Sequence, residues 1–455
     1  MKISAAAAAQ KNEKERFLWL VLKRGLLLVA LYIPFGVALN LSPEVDLASL
    51  RVAIMLFFLA WLSAAVVWRK AIFAFSLQGI GLIAILAISG FSLFLANELG
   101  WGLRKELLFL SVFPLFFVVE RLTENRKDAK GAVDVLMAGA VISSLIAIGQ
   151  FLAQFFIGSS WVANFYSKTI GPIFWGRTFS ELVASTPSWF YDAGGRTLMR
   201  AFGLFPDPHM LSFFLGLILP LAFARFLFTK RKNLLLLSVI CLLFAALLLT
   251  FSRGGYLGIL ASLLAIIFLS WRLLPEKQKW LIWAAAALAL VIIVIVAPSV
   301  LSRFVSSFVA DEGSSLGRLE IWQESWQVFL KNPLLGVGLG NYPRAVDAIA
   351  PYRSPITSHN LYLDILSETG IFGLAAWTFL LFGTIWQFAG RAKKELVEKD
   401  PGAAIKIGLM GSLIYFSVHS FFETAIFNPA ILATLMIILA LAAVSLCHKK
   451  DGYLA

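Results

Sequence analysis

The feature that most constrains this chain is a succession of apolar runs, each about as long as a membrane is thick. A helix needs about 20 apolar residues to cross the hydrocarbon layer of a bilayer. Runs of this length recur from residue 17 to residue 447 of the 455-residue chain, and no soluble-looking block separates them. Hydrophobic residues make up 60% of the chain and charged residues 14%, whereas soluble domains have about half and about a quarter. The sequence therefore predicts an all-α polytopic membrane protein with one membrane domain, residues 1–455.

The apolar runs predict about twelve transmembrane helices. The first run is too long for the apolar part of a signal peptide, and no small-residue cleavage site follows it, so we expect it to remain as a span. The predicted spans are 17–39, 48–68, 72–95, 106–120, 131–157, 208–228, 233–251, 254–271, 280–297, 370–390, 404–424 and 427–447.

Basic residues occur in short clusters between the apolar runs, as in Lys230-Arg231-Lys232. If the N-terminus is inside, the inside segments hold about two thirds of the 39 Lys and Arg residues, as the positive-inside rule requires. We therefore expect both termini in the cytoplasm. The same clusters account for the net charge of +13, so we expect no nucleic-acid partner.

Two predicted outside segments are long, at about 158–207 and 298–369. Both contain Trp, Pro, Gly, Ser and charged residues, and both are too polar to cross a bilayer. Their aromatic content is high for a flexible linker, so we expect two structured extracytoplasmic loops that lie on the membrane surface.

Three arginines and a histidine converge on this outside face: Arg200, Arg253, Arg318 and His359. Arg253 lies at the predicted outer turn between two apolar helices and is followed by two glycines, which leave the backbone open to a ligand. A charged residue at that depth needs an ion pair or a wet cavity. The alternative is an arginine whose side chain extends from a helix end to water.

Arg318 begins a stretch with helical periodicity. At 100° per residue, Arg318, Trp322, Ser325 and Phe329 share one face of this helix. A surface amphipathic helix explains the aromatic residues without any function, but it does not explain an arginine on the apolar stripe. The glycine-rich run that follows, 336–342, lacks the strand of a dinucleotide loop, so we expect a wet turn at the membrane surface.

His359 is the predicted general base. Thr357 or Ser358 resembles a helix N-cap and Gly370 a C-terminal cap, which places His359 in the first turn of a short helix. The helix dipole and the arginines should disfavour imidazolium there, and a general base must be neutral.

The remaining histidines carry weaker signals. His209 follows the point where the first long segment re-enters the membrane, and His419 precedes Glu423 by one helical turn, which suggests that these two residues pair. We expect structural pairing for both histidines. The outside segments contain no motif with metal-ligand spacing, so we expect neither a metal nor a cofactor. Three guanidinium groups and a neutral imidazole suit the binding of a diphosphate leaving group while a base activates a hydroxyl.

Several motifs resemble the O-antigen ligase and polymerase superfamily of bacterial membrane glycosyltransferases, mainly over residues 200–425. They are Ser252-Arg253-Gly254-Gly255, Asn332-Pro333-Leu334-Leu335-Gly336-Val337-Gly338-Leu339-Gly340-Asn341-Tyr342, and Ser358-His359-Asn360-Leu361-Tyr362 with Glu368-Thr369-Gly370. The resemblance implies a type C membrane architecture and transfer of a glycan from undecaprenyl diphosphate to a hydroxyl, without metal. It also implies that Arg253 and Arg318 bind the diphosphate and that His359 activates the acceptor. Arg200, in Arg200-Ala201-Phe202-Gly203, is a further substrate-binding candidate.

The resemblance leaves the acceptor open. The arginine-to-glycine loop spacing of polymerases is not recognisable, which favours an O-antigen ligase with lipid A-core as acceptor and a periplasmic active site on the inner membrane. The alternatives are a polymerase that joins carrier-linked repeat units and a protein O-oligosaccharyltransferase. A transporter or lipid flippase is less favoured, because the ionisable residues concentrate at one face rather than along a path through the membrane.

Overall fold

The structure is a computed structural model that describes residues 2–42, 45–70, 76–184, 187–192, 197–229, 233–271, 274, 276, 279–280, 313–352, 356–397 and 402–447. The described chain is almost entirely helical. Its α-helices are Lys2–Tyr32 (α1), Ser49–Val67 (α2), Leu77–Ser92 (α3), Leu99–Val112 (α4), Pro114–Leu122 (α5), Arg126–Ile157 (α6), Ser159–Phe165 (α7), Gly171–Phe174 (α8), Arg177–Ala184 (α9), Pro208–Phe228 (α10), Leu234–Leu248 (α11), Arg253–Ser270 (α12), Gly313–Lys331 (α13), Tyr342–Val346 (α14), Leu361–Val397 (α15), Ala403–His419 (α16) and Pro429–Cys447 (α17).

Eight helices of the described residues are long and apolar enough to cross a membrane. Two shorter apolar helices, α11 and α16, accompany them. Together they coincide with ten of the predicted spans, and the prediction of an all-α polytopic membrane protein is confirmed.

The two other predicted spans have different outcomes. The span 106–120 is instead divided between α4 and α5, because Pro114 begins a new helix and has no N–H to donate to the preceding turn. The span 280–297 lies outside the described residues, apart from its first position.

Helix α6 separates two polar layers. Near its start, the Asp128 carboxylate forms an ion pair of 2.7 Å with Lys23. Near its end, the Gln150 amide donates a hydrogen bond of 3.0 Å to the backbone carbonyl of Arg200. Gln150 follows Asp128 by 22 positions, which in a helix is a rise of about 33 Å, close to the thickness of the hydrocarbon layer. The segment around Arg200 and the Lys23 ion pair therefore lie at opposite ends of α6, about one hydrocarbon layer apart.

The segment 158–207 is folded in its described parts. It contains the short helices α7 to α9, a π-helical turn at Tyr166–Ile170, a 3-10 turn at Pro187–Trp189, and an antiparallel hairpin of Phe190–Asp192 (β3) with Thr197–Met199 (β4). Buried aromatic residues, among them Trp189 and Phe202 with ring centroids 4.7 Å apart, pack beneath it. A second hairpin, Ala38–Ser42 (β1) with Val45–Ala48 (β2), precedes α2. The hairpin of β3 and β4 leads directly into Arg200.

Helices α10, α12 and α16 pack against one another beneath this surface. Glycines permit the close approach, since a Cβ at Gly216 would lie 1.8 Å from the ring of Tyr415 and one at Gly255 would lie 2.1 Å from Ser212 Oγ. The polar ends of these three helices carry several of the candidate residues.

Candidate active site

Arg200 is held in place by backbone carbonyls and is 8% exposed. Its Nε donates to the carbonyl of Thr250 at 2.7 Å, and Nη1 donates to the carbonyl of Ser188 at 2.9 Å. Its Nη2 is buried without a hydrogen-bond partner among the described residues. Burial lowers the pKa of Arg200 to about 10, so the side chain is still a cation at neutral pH. Two anchored nitrogens and one free nitrogen suit a residue that awaits an anion.

Arg253 and Arg318 approach the same region from two other helices. Arg253 is the first residue of α12 and is exposed, and its charge acts on Arg200. Arg318 is half-buried on α13, and its charge acts on His359 and on His209. Neither arginine has an ion-pair partner in the part of the chain that the structure describes. Their positive charge is available to a ligand.

The amphipathic helix predicted around Arg318 is confirmed as α13. Ser325 is buried, and Trp322, Phe329 and Arg318 are half-buried on the same face. The polar residues of the other faces are exposed: Glu320, Gln323, Glu324 and Gln327.

His359 lies just before α15 rather than in its first turn. The side chain of Asn360 caps the helix instead, since its Oδ1 accepts hydrogen bonds from the N–H groups of Tyr362 and Leu363. His359 has a φ of 49°, a left-handed conformation that few residues other than glycine adopt. At the other end of this helical stretch, Gly370 (φ 68°) ends the helical geometry, as predicted.

The imidazole of His359 faces a carboxylate. Its Nδ1 lies 3.2 Å from Glu423 Oε1 and 3.1 Å from Oε2. The hydrogen bond to Glu423 raises the pKa of His359 above its ordinary value, although burial and Arg318 oppose the rise. The expectation that the helix dipole and the arginines keep the imidazolium disfavoured is therefore wrong. His359 precedes the N-cap, and the adjacent carboxylate outweighs the arginines.

Glu423 is the residue that connects the cluster. Burial alone would keep it protonated, but the hydrogen bond and positive charge of His359 lower its pKa to about 2. Its charge also acts on Arg200, His209 and Asp207. Burial and the nearby Glu423 raise the pKa of Asp207 to about 6, while its Oδ1 caps α10 by accepting the His209 N–H at 2.7 Å.

A buried aspartate joins the two segments that carry this pair. Asp364 Oδ1 accepts the N–H of Ser358 at 3.0 Å, and its Oδ2 accepts the hydroxyl of Thr424. The indole of Trp322 donates to the Ser358 carbonyl at 3.1 Å, which attaches α13 to the same turn. The turn with His359, the segment with Glu423 and the helix with Arg318 are therefore held together by side-chain hydrogen bonds.

The glycine-rich run 336–342 has a structural role. The N–H groups of Val337 and Gly338 donate to the carbonyls of Ser367 and Glu368 at 2.9 and 3.0 Å. A Cβ at Gly338 (φ 94°) would lie 2.7 Å from backbone atoms of Ala96. The expectation of a wet surface turn is wrong, because these glycines let the backbone pack closely against two neighbouring segments.

His419 does not bind Glu423, so the predicted pairing of these two residues is wrong. Helix α16 ends at His419, and the chain turns before Glu423, so the two side chains no longer share a helical face. His419 Nε2 lies 3.1 Å from Ser252 Oγ, and Ser252 Oγ lies 3.1 Å from His209 Nδ1. Both histidines have polar partners within the helix bundle, as expected for structural pairing.

Comparison with known proteins gives a family match over part of the chain. Residues 236–378 match the family model described as O-antigen ligase, a segment that contains Arg253, Arg318 and His359. Arg200 and Glu423 lie outside the matched segment.

Two curated proteins are similar to this chain. The teichuronic acid biosynthesis protein TuaE of Bacillus subtilis (strain 168) is 26% identical over 190 residues, which cover 39% of this chain and 38% of that protein. The exopolysaccharide production protein ExoQ of Rhizobium meliloti (strain 1021) is 25% identical over 246 residues, 50% of this chain and 54% of that protein. The chain thus spans 38% and 54% of the lengths of these relatives. Together with the family match, they confirm the resemblance to the O-antigen ligase and polymerase superfamily that the motifs predicted.

Proposed function

We propose that the protein is a membrane glycosyltransferase that moves a glycan from undecaprenyl diphosphate to an acceptor hydroxyl at the outer face of the bacterial cytoplasmic membrane. The observation that carries the proposal is the His359–Glu423 pair beside three arginines that come from separate parts of the chain. Such a set combines a base with an anion-binding surface, which is the requirement for displacing a diphosphate with a hydroxyl.

The arginines act on the leaving group. As the bond between the anomeric carbon and the diphosphate oxygen breaks, negative charge develops on that oxygen, and guanidinium groups stabilise it through charge-assisted hydrogen bonds. Those donors are Nη2 of Arg200 and the side chains of Arg253 and Arg318, none of which has a hydrogen-bonded or ion-pair partner among the described residues.

His359 acts on the incoming hydroxyl. With Nδ1–H donating to Glu423, a neutral His359 presents Nε2 as a base. The acceptor oxygen bonds to the anomeric carbon, its proton passes to Nε2, and the resulting imidazolium is stabilised by the Glu423 carboxylate. Glu423 thus orients the ring and strengthens the base, as carboxylates do in other histidine-based sites.

Two acceptors are supported by different observations. The match to the O-antigen ligase family favours attachment of the glycan to lipid A-core, with the site in the periplasm. The names of the two relatives, which refer to teichuronic acid biosynthesis and exopolysaccharide production, favour a second candidate, a polymerase that joins carrier-linked units. Gene deletion separates them: a ligase mutant retains long carrier-linked chains that are not attached to core, whereas a polymerase mutant has only single units.

The proposed base and the proposed diphosphate-binding arginines can be tested by substitution. In vesicles that contain the purified protein and a lipid-linked glycan donor, we expect His359→Ala to lower product formation by about 10²-fold or more, because the general base is lost. Arg253→Ala and Arg318→Ala should also impair transfer, through weaker stabilisation of the leaving diphosphate. Mass spectrometry of the product measures the transfer.

The matched control is Arg177→Ala, which removes an exposed arginine at the start of α9 and should leave transfer unchanged. Full activity in His359→Ala would remove the proposed base. Carrier-dependent glycan uptake by wild-type vesicles without any covalent product would replace the proposal with transport.

A further inference from the structure

A buried chain of hydrogen bonds runs from the candidate site into the helix bundle. It begins at His209 Nδ1 and passes through Ser252 Oγ to His419 Nε2, with both contacts at 3.1 Å. It continues from His419 Nδ1 to the Tyr415 hydroxyl at 3.0 Å and ends at the backbone carbonyl of Ser212, 2.7 Å from that hydroxyl. We call this chain of hydrogen bonds the relay. It connects α10, α12 and α16, and the proposed transfer reaction gives its residues no role.

The last member fixes the direction of every hydrogen bond before it. The shortest contact of the Tyr415 hydroxyl is to the backbone carbonyl of Ser212, which can only accept, so we assign its single proton to that bond. The Ser212 hydroxyl, 3.0 Å away, then donates to Tyr415. Tyr415 must then accept from His419, which places a proton on His419 Nδ1. A neutral His419 has an unprotonated Nε2, so the Ser252 hydroxyl donates to it. Because the Ser252 proton is committed there, Ser252 accepts from His209, and His209 carries its proton on Nδ1.

The surroundings of the relay support neutral imidazoles. Ser212, Ser252, Tyr415 and His419 are all fully buried, and the ring of Phe213 stacks on His419 with centroids 3.7 Å apart. A second proton on His419 would leave a buried charge without a hydrogen-bonded carboxylate, which is costly. The part of the relay from Ser252 to Ser212 is thus shielded from water, and one set of tautomers satisfies all of its hydrogen bonds.

His209 is the member of the relay that reaches the site. It is half-buried, and the charges of Arg200, Arg318, His359 and Glu423 all act on it. The arginines can only donate hydrogen bonds, and the Glu423 carboxylate already accepts from the His359 imidazole and the Thr424 N–H. A sugar hydroxyl that enters this site as a donor therefore has few acceptors to choose from. The unprotonated Nε2 of His209 supplies one.

We propose that His209 is a substrate-binding residue whose Nε2 accepts a hydrogen bond from a sugar hydroxyl, and that the Ser252–His419–Tyr415–Ser212 relay holds it in the accepting tautomer. The inference rests on the proposed glycan transfer for the identity of the ligand. Among the described residues the His209 imidazole is hydrogen-bonded to a serine hydroxyl and not, like that of His359, to a carboxylate, so it binds the hydroxyl rather than removing its proton. His359 remains the base.

Nitrogen-15 NMR of histidine-labelled protein in lipid nanodiscs tests the relay without any transfer assay. The chain has four histidines, so each resonance can be assigned from a single His→Gln variant. We expect both His209 and His419 to be neutral and protonated at Nδ1. In Tyr415→Phe the anchor is lost, and His209 should become a mixture of tautomers. A His209 protonated at Nε2, or tautomers that do not respond to Tyr415→Phe, would overturn the relay.

Two isosteric variants then test binding. An Asn amide can replace the Nδ1–H donor but leaves no acceptor at Nε2, whereas a Gln amide oxygen reaches the Nε2 position without being a base. We expect His209→Asn to lower kcat/KM by about 10-fold, the effect of one lost hydrogen bond, mainly through a higher KM. His209→Gln should recover most of that loss, and Tyr415→Phe should lower kcat/KM by about 3-fold.

The outcomes are separable. Wild-type activity in His209→Asn, or equal defects in His209→Asn and His209→Gln, would contradict the hydroxyl-binding role. Absence of transfer in the wild-type protein would contradict the proposed function instead. The NMR experiment does not depend on transfer, so it would still decide whether the relay exists.

Discussion

At the scale of single residues, the site depends on one carboxylate, that of the partly buried Glu423. It forms a salt bridge of 3.1 Å with His359, and this contact raises the pKa of His359 and lowers the pKa of Glu423. The contribution of His359 to stability is present below its unfolded pKa of about 6.5 and is lost as pH rises through its raised folded pKa. The contribution of Glu423 is present above about 4.3 and is lost as pH falls toward its folded pKa of about 2. The ion pair is therefore most stabilising between these two unfolded values.

The same shift predicts the pH dependence of activity. A base must be neutral, so transfer should increase as pH rises through the raised pKa of His359. In Glu423→Gln the carboxylate is gone, so the pKa of His359 falls and the inflection of the pH–rate profile moves to lower pH. The rate at the plateau should fall by about 10²-fold, because the ring loses its orientation and its basicity.

The control for this experiment is Glu320→Gln, which removes an exposed carboxylate from α13 and should leave the profile unchanged. An inflection that stays at the wild-type pH in Glu423→Gln would show that Glu423 does not set the protonation of His359. The measurement is the rate of transfer from pH 5 to pH 9, for the wild-type protein and for both variants.

At the scale of secondary-structure elements, the site is supported by close helix packing. The phenol of Tyr415 fits between α16 and α10 only because position 216 has no side chain. The Tyr415 hydroxyl also contacts two atoms of Ser212, which keeps the ring from moving aside. The same contact that packs α10 against α16 thus ends the relay to His209.

The close packing of α10 and α16 predicts that two glycine-to-alanine variants differ in stability. Gly216→Ala should lower the free energy of unfolding by about 1–3 kcal/mol, because the new methyl group would overlap Tyr415. Gly149→Ala on α6 is the matched control, since nothing lies within 4 Å of the position of its Cβ. This variant should be neutral or more stable by about 0.5–1 kcal/mol.

Thermal unfolding of the purified variants in one detergent measures this difference. Equal stability of Gly216→Ala and Gly149→Ala would mean that α10 and α16 are not packed as closely as described. A tyrosine that has moved would also disturb the His209 tautomer, so both experiments report on the same contact.

At the scale of the whole molecule, the described helices carry two polar layers near opposite ends of α6. One layer contains Lys23 and its acidic partners, Glu124 and Asp128. The other contains the candidate site, and α6 has the length needed to separate the two. The positive-inside rule predicts that the first layer faces the cytoplasm and that the candidate site faces outward.

This orientation predicts a labelling pattern in intact cells. With Cys241 and Cys447 replaced by serine, a cysteine at exposed Glu320 should react with a membrane-impermeant maleimide. A cysteine at exposed Lys14 should react only after the cells are permeabilised. The reverse pattern would place the site in the cytoplasm and would exclude a periplasmic or extracellular acceptor.

The sequence by itself determined the membrane class, most of the spans and the amphipathic α13, because these depend on local apolar periodicity and on the thickness of a bilayer. It also pointed to Arg253, Arg318 and His359 as candidate site residues, through motifs in the segment that the family match covers, whereas the motif at Arg200 lies outside that segment. Helical spacing gave a wrong prediction where a helix ended earlier than expected. The spacing of His419 and Glu423 fits one helical face only if the helix continues, and α16 ends at His419.

Only the tertiary structure decided which groups meet. Glu423 turns to His359, 64 positions earlier in the chain, whereas His419 turns inward to Ser252, 167 positions away. Neither contact has a signature in sequence spacing, because each depends on how separate helices pack. For the same reason the protonation of His359 could not be predicted. The pKa of a partly buried group depends strongly on the charge nearest to it, and only folding brings Glu423 next to His359.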